Sequence, residues 1–362
     1  MFTHQIKTLR PKDAQSLMKD NMLVKHYAGS ISYGTNLPSS DVDFRGIFCG
    51  DPVNVRTPFF TVRECDDIAE EDTKLYELAH FMKLCLDCNP NIIETLWVND
   101  TDITFRTPAY DLLREHRHKL LSSKIAFTTS GYALSQLHRI KGHNKWINNP
   151  QPKEAPKPKD YVSLVQYFGK EKMLKLNIDE WNEDHRLVPF GGNIYGVYPE
   201  KGRELFDTFG KLNTTYEGDR SEFEDTLPVM VIKFNKDIYR EFKEKHERYW
   251  EWKNNRNEVR SELEEQFGYD TKHAMHLVRL LRMGVEALRD EEIVVKRPDA
   301  LELLQIRGGA WTYDEIVDYA TKMDEEVRVV WYKKTKLPKK PDLKFAAALL
   351  MDVQDLVWNA GK

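Results

Sequence analysis

The sequence predicts an α+β protein: a small mixed β-sheet with helices packed on it, followed by a mainly helical domain carrying a β-rich insertion. Three observations predict this. Short apolar or alternating runs separated by small residues fill the N-terminal part, helical-period runs dominate from about residue 110, and positions 187 to 234 are rich in Gly, aromatic and β-branched residues.

The elements follow in order. Residues 22 to 30 (MLVKHYAGS) read as a strand entering a small-residue turn. Ser32 to Ser40 contains Gly, Asn and Pro, so any helix there is short. Residues 41 to 49 (DVDFRGIFC) and 72 to 77 (DTKLYE) read as two further strands. The helix in LAHFMKLCLDC should end at the Asn89-Pro90 step, because proline restricts the residue before it. A first domain over residues 1–110 and a mainly helical domain over 111–362 follow from the change of period, with helical runs at HKLLSSKIAFTTSGYALSQLHRIK and DIYREFKEKHERYWEWKNNRNEVRSELEEQF. The helical domain is expected to close a nucleotide cleft. QPKEAPKPKD at 151 to 160 is a Pro/Lys-rich surface connection, and 187 to 234 is expected to hold a hairpin.

A chain of 362 residues with 41% hydrophobic and 31% charged residues can bury a substantial core. Its net charge of -4 excludes coating of nucleic acid by bulk electrostatics, so a polyanion site must be local. No apolar run approaches the roughly 20 residues that span a bilayer, and the start MFTHQIKTLRPKDAQ lacks the pattern of a secretory signal. A cytoplasmic protein with no membrane partner is expected, in the host cytoplasm if phage-encoded. Cys85 and Cys88 form a C-x-x-C without a second pair at zinc-finger spacing, so buried helix cysteines are the expectation.

The chemistry resides in Gly29-Ser30, ten intervening residues, then Asp41-Val42-Asp43-Phe44. On a strand, Asp41 and Asp43 would share one face while Val42 and Phe44 point into the sheet core. Two carboxylates projecting together make an oxygen-rich site for Mg²⁺ or Mn²⁺. The turn at Gly29 lets a ligand approach the backbone, so amides and the Ser30 hydroxyl can hold the phosphates of an NTP. Pro-Ser-Ser-Asp is also ordinary loop chemistry. The Asp-x-Asp of sugar-nucleotide glycosyltransferases is a sharper rival, disfavoured because that pair normally follows a longer α/β half.

The Gly-Ser and Asp-x-Asp arrangement resembles the motif of the DNA polymerase β-like nucleotidyltransferases. More closely, HYAGSISYGTNLPSSDVDFRGIF, YELAHFMKLCLDCNPNIIETLW and GYDTKHAMHLVRLLRMGVEAL are similar to the RlaP family of bacteria and phages. That resemblance implies metal-dependent transfer of an NMP from an NTP, with release of pyrophosphate. The family's name, RNA-ligase-associated, points to an RNA end ahead of a protein hydroxyl or a small molecule as acceptor. The superfamily adds a third carboxylate from an adjacent strand, for which Asp72 is the first choice and Glu77, of opposite parity, the competitor. A nucleotide- or RNA-binding regulator with a silent site is the alternative function.

In the helical half, Lys272, His276, Arg279 and Glu286 form a narrow polar stripe on an otherwise apolar helix. Lys272, His276 and Arg279 are expected to meet the phosphates, unless the stripe is a solvated face with Arg282 and Glu286 paired at i, i+4. Tyr249, Lys253, Arg256 and Arg260 form a second candidate wall. Gln136, Arg139, Lys141, His143 and Lys145 are possible acceptor-side contacts.

Overall fold

The computed structural model describes residues 21–58, 61–66, 72–169, 177–214, 226–256 and 258–360. The chain divides into two compact units, one formed by residues 1–147 and 259–362 and the other by 148–258.

The first unit contains a five-stranded mixed sheet built from β1 (Met22–Tyr27), β2 (Phe44–Phe48), β3 (Glu64–Asp66), β4 (Thr73–Glu77) and β5 (Ile103–Arg106), in the order β3-β4-β2-β1-β5. β1 and β2 are antiparallel with Tyr27 opposite Phe44, whereas β2 and β4 are parallel with Phe44 opposite Thr73. The end of β1 and the starts of β2 and β4 therefore meet at one edge of the sheet. Leu23, Val24 and Ile47 on the central strands are fully buried, and they join a core with Phe81 and Cys85 of the helix Leu78–Leu86 and Leu277, Val278 and Leu281 of the helix Thr271–Asp290. The latter helix is apolar on most of its circumference because it packs on several neighbours, among them the helices Ala300–Arg307 and Tyr313–Glu325.

The expected strand at 41–49 starts three residues late. Asp41, Val42 and Asp43 precede β2, and Val42, expected in the core, is 47% exposed. The reason is local: the Pro-Ser-Ser-Asp sequence favours turn backbone over ladder pairing, and β1 ends at Tyr27, leaving little strand for these residues to pair with. The helical run beginning at His118 is split, into Arg117–Leu120 and Ile125–Asn148. Cys85 and Cys88 are both buried free thiols, and burial pushes both above the ordinary thiol range.

The second unit carries a four-stranded antiparallel sheet of β6 (Val162–Tyr167), β7 (Glu183–Gly191), β8 (Ile194–Glu204) and β9 (Met230–Phe234), in the order β6-β9-β8-β7. β7 and β8 form the hairpin. Its loop residues Gly192 and Asn193 both have positive φ, 59° and 62°, as a two-residue turn matched to strand twist requires. Leu187, Val197, Met230 and Ile232 bury between the sheet and the segment around Leu205 and Phe206, giving this unit its own core. The helix Lys236–Asn254 completes it.

Candidate active site

The parallel register of β2 and β4 brings the acidic residues together. Asp43 and Asp72 each immediately precede a paired strand, and the Phe44 amide donates to the Asp72 carbonyl at 3.1 Å. Asp72 sits in the left-handed region at φ 53°, which Asp tolerates better than most residues and which turns the chain into β4. From the other side, the Ala28 amide donates to the Asp43 carbonyl at 2.8 Å, placing Gly29 against Asp43. Gly29 has φ 59° and opens the short helix Gly29–Tyr33. A Cβ at that position would overlap Asp43 Oδ2, so any side chain there would strain the left-handed backbone and push the Asp43 carboxylate aside.

Electrostatics report the same clustering. Burial and then the neighbouring Asp72 carboxylate push Asp43 above its ordinary range, Asp41 adds to the rise, and Arg45 and Lys272 oppose it. Asp43, Asp72 and Asp41 are oxygen donors of the kind that Mg²⁺ or Mn²⁺ takes, and Asp43 feels the charge of the other two. A cavity of about 410 Å³ opens beside Asp43, Asp72, Asp66 and Lys74.

Glu77 has a different role. It is buried, caps the helix Leu78–Leu86 by accepting from the amides of Ala79 (2.7 Å) and His80 (3.2 Å), and accepts from Gly50 at 3.4 Å. Its carboxylate is committed to backbone amides at the far end of β4 from Asp72.

The polar stripe divides. Lys272 acts on Asp43 and lines a cavity of about 230 Å³ with Leu37, Ser39 and Arg307. Arg279 lies deeper: it is 4% exposed, its guanidinium stacks 3.8 Å from the Tyr33 ring centroid, and it faces Glu94 at 3.7 Å. Burial, followed by the charges of Arg279 and Lys272, holds His276 well below the ordinary imidazole range. The i, i+4 pair of Arg282 and Glu286 does not form. Arg282 binds Asp299 and Glu302, and Glu286 binds Arg297.

Sequence reasoning missed a buried network beneath the Gly-Ser helix. Glu94 accepts from Tyr33 at 2.7 Å and from Arg45 at 2.9 Å, and Arg45 also donates to the Asn91 carbonyl at 2.5 Å. Arg45 and Glu94 are far apart in the chain, so no local spacing signals their pairing. In the second unit, Lys253 and Arg256 lie over their own helix's aromatic rings, Lys253 at 5.5 Å from Trp250 and Arg256 at 4.5 Å from Trp252, while the Arg260 side chain lies outside the described residues.

The mixed sheet thus brings the glycine-serine helix start, Asp43 and Asp72 to one end of its central strands. Residues 3–161 match the RlaP family, described as the RNA repair pathway DNA polymerase beta family. No curated protein and no solved structure matches the chain. Among the described residues, no helix is long and apolar enough to cross a membrane.

Proposed function

We propose that the protein is a metal-dependent nucleotidyltransferase that moves an NMP from an NTP to an acceptor hydroxyl or phosphate, with an RNA end as the acceptor. The placement of Gly29 against the Asp43 carboxylate, with the Asp72 and Asp41 charges acting on that same carboxylate, carries this reading. The RNA-repair description of the matching family supports the choice of acceptor.

Asp41, Asp43 and Asp72 would hold Mg²⁺ or Mn²⁺, which when bound offsets the charge on the transferring phosphoryl group and its pyrophosphate leaving group. Gly29 leaves room for phosphate oxygens against the backbone, and the Ser30 hydroxyl donates to them. Lys272 supplies positive charge to the phosphates from the helical side. Asp72, immediately before β4, accepts the proton of the attacking hydroxyl. Arg279 serves as a positioning residue: stacked on Tyr33, it holds the helix that begins at Gly29.

The test is incubation of the protein with each radiolabelled NTP, Mg²⁺ or Mn²⁺, and either RNA or protein extract. Label entering RNA with release of pyrophosphate is expected. Label in protein alone would overturn the acceptor assignment, and no label in any fraction would overturn the activity.

A further inference from the structure

We propose that His143, Glu264, Asp270 and His273 form a second metal site, built for a transition-metal dication such as Zn²⁺ and separate from the three aspartates. His143 stands near the end of the helix Ile125–Asn148, Glu264 on the helix Glu258–Phe267, and Asp270 and His273 at the start of the helix Thr271–Asp290. All four belong to the first compact unit.

The spacing of donor atoms carries the inference. His143 Nδ1 lies 3.6 Å from Glu264 Oε1 and 3.9 Å from Asp270 Oδ2, and one ligand atom from each of these residues fits within 4.8 Å of the others. His273 Nε2 lies 3.4 Å from the same Asp270 Oδ2. Zinc bonds of about 2.1 Å to nitrogen and oxygen in a tetrahedron place neighbouring donors about 3.4 Å apart. The separations of His143 from Glu264 and Asp270 lie close to that spacing, and His273 adjoins the group through Asp270.

Charge and orientation agree with it. The Glu264 and Asp270 side chains are both 5% exposed, so two carboxylates face the imidazoles with little water around them, and a dication among them would offset their charge. Asp270 Oδ1 accepts the His273 amide at 3.0 Å, which turns Oδ2 toward the imidazoles. Asn144 donates to the Gly268 carbonyl at 2.9 Å and ties the first helix to the link between the other two, the kind of support that outer residues give metal ligands. Paired imidazoles and carboxylates select zinc and its transition-metal neighbours over Mg²⁺, which prefers oxygen donors and retained water. The cavity lined by Glu264, Asp270 and Lys272 provides an entry path. Such an ion would clamp three helices where the Lys272 helix begins.

The experiment dialyses chelator-treated full-length protein against Zn²⁺ in the presence of excess Mg²⁺ and measures bound zinc by mass spectrometry. Co²⁺ is used in parallel for its visible absorption. One zinc per chain is expected for wild type and for Asp43→Asn, with under about a tenth of that for His143→Ala and Asp270→Asn. Equal zinc in His143→Ala and wild type would overturn the site, as would loss of zinc in Asp43→Asn. If either variant fails to fold by circular dichroism, His273→Ala and the thermal unfolding of wild type decide. Zinc should raise the wild-type midpoint, and a midpoint unmoved by zinc means the four residues are an ion-pair cluster of protonated imidazoles and carboxylates. None of these outcomes depends on transfer activity.

Discussion

Gly29 abuts the carboxylate of Asp43 so closely that a methyl group added to it would overlap Oδ2. The left-handed backbone at Gly29 adds about 1–2 kcal/mol of strain for any other residue. Gly29→Ala should therefore displace Asp43, and lower the kcat/KM of nucleotidyl transfer by at least about tenfold, with a smaller loss of stability. Steady-state kinetics beside a thermal melt would check this, and activity within twofold of wild type would detach Gly29 from the site.

Each of Asp41→Asn, Asp43→Asn and Asp72→Asn should abolish transfer while leaving the fold intact, since asparagine keeps the shape and removes the charge that holds the cation. Retention of wild-type rates by the Asp72 variant would leave the site with two acids and no third.

Glu77→Ala should do the opposite. Loss of a helix cap is expected to cost about 0.5–2 kcal/mol of stability, read from urea unfolding, while transfer per folded molecule stays close to wild type. Loss of metal-dependent activity in this variant, at temperatures where it is folded, would return Glu77 to the reaction.

The raised pKa of Asp43 has a definite sign in stability. Burial and the Asp72 charge make the native state hold this proton more tightly than the unfolded chain, so ionising Asp43 costs native stability. The cost is absent below the ordinary carboxylate range, grows as pH rises through the folded value, and is fully present above it. In metal-free buffer at neutral pH, Asp43→Asn should melt higher than wild type. That advantage should vanish as pH falls below the unfolded carboxylate value of about 3.9, and Mg²⁺ should narrow it at neutral pH. A variant no more stable than wild type at neutral pH without metal would contradict the crowding.

Arg279 and Lys272 should separate by phenotype. Arg279→Ala leaves Glu94 buried beside Arg45 with one cation fewer and removes the group stacked on Tyr33, and should cost about 1–3 kcal/mol. Lys272→Ala should change stability little but weaken NTP binding about tenfold or more, read by calorimetry. Equal NTP affinities for wild type and Lys272→Ala would remove this lysine from the site.

Local pattern made much of this protein legible. Alternation in MLVKHY, the small residues at 28 to 30 and the runs at 41 to 49 and 72 to 77 were enough to place β1, β2 and β4 to within a few residues. The β-rich segment announced its hairpin through its Gly, aromatic and β-branched content, and the turn falls at Gly192-Asn193. What spacing could not supply was anything decided by partners distant in the chain. Asp41 and Asp43 were expected on a strand, yet strand backbone requires a neighbour to pair with, and the ladder there begins only at Phe44 opposite Tyr27 and Thr73. The parallel register of β2 and β4 alone sets Asp72 beside Asp43 and sends Glu77 to cap a helix. The seven-residue spacing of Lys272 and Arg279 put both on one helix face, but depth along that face depends on what packs there. Tyr33 and Glu94 receive Arg279 in the interior, while Lys272, two turns earlier, lines a cavity with Ser39 and Arg307.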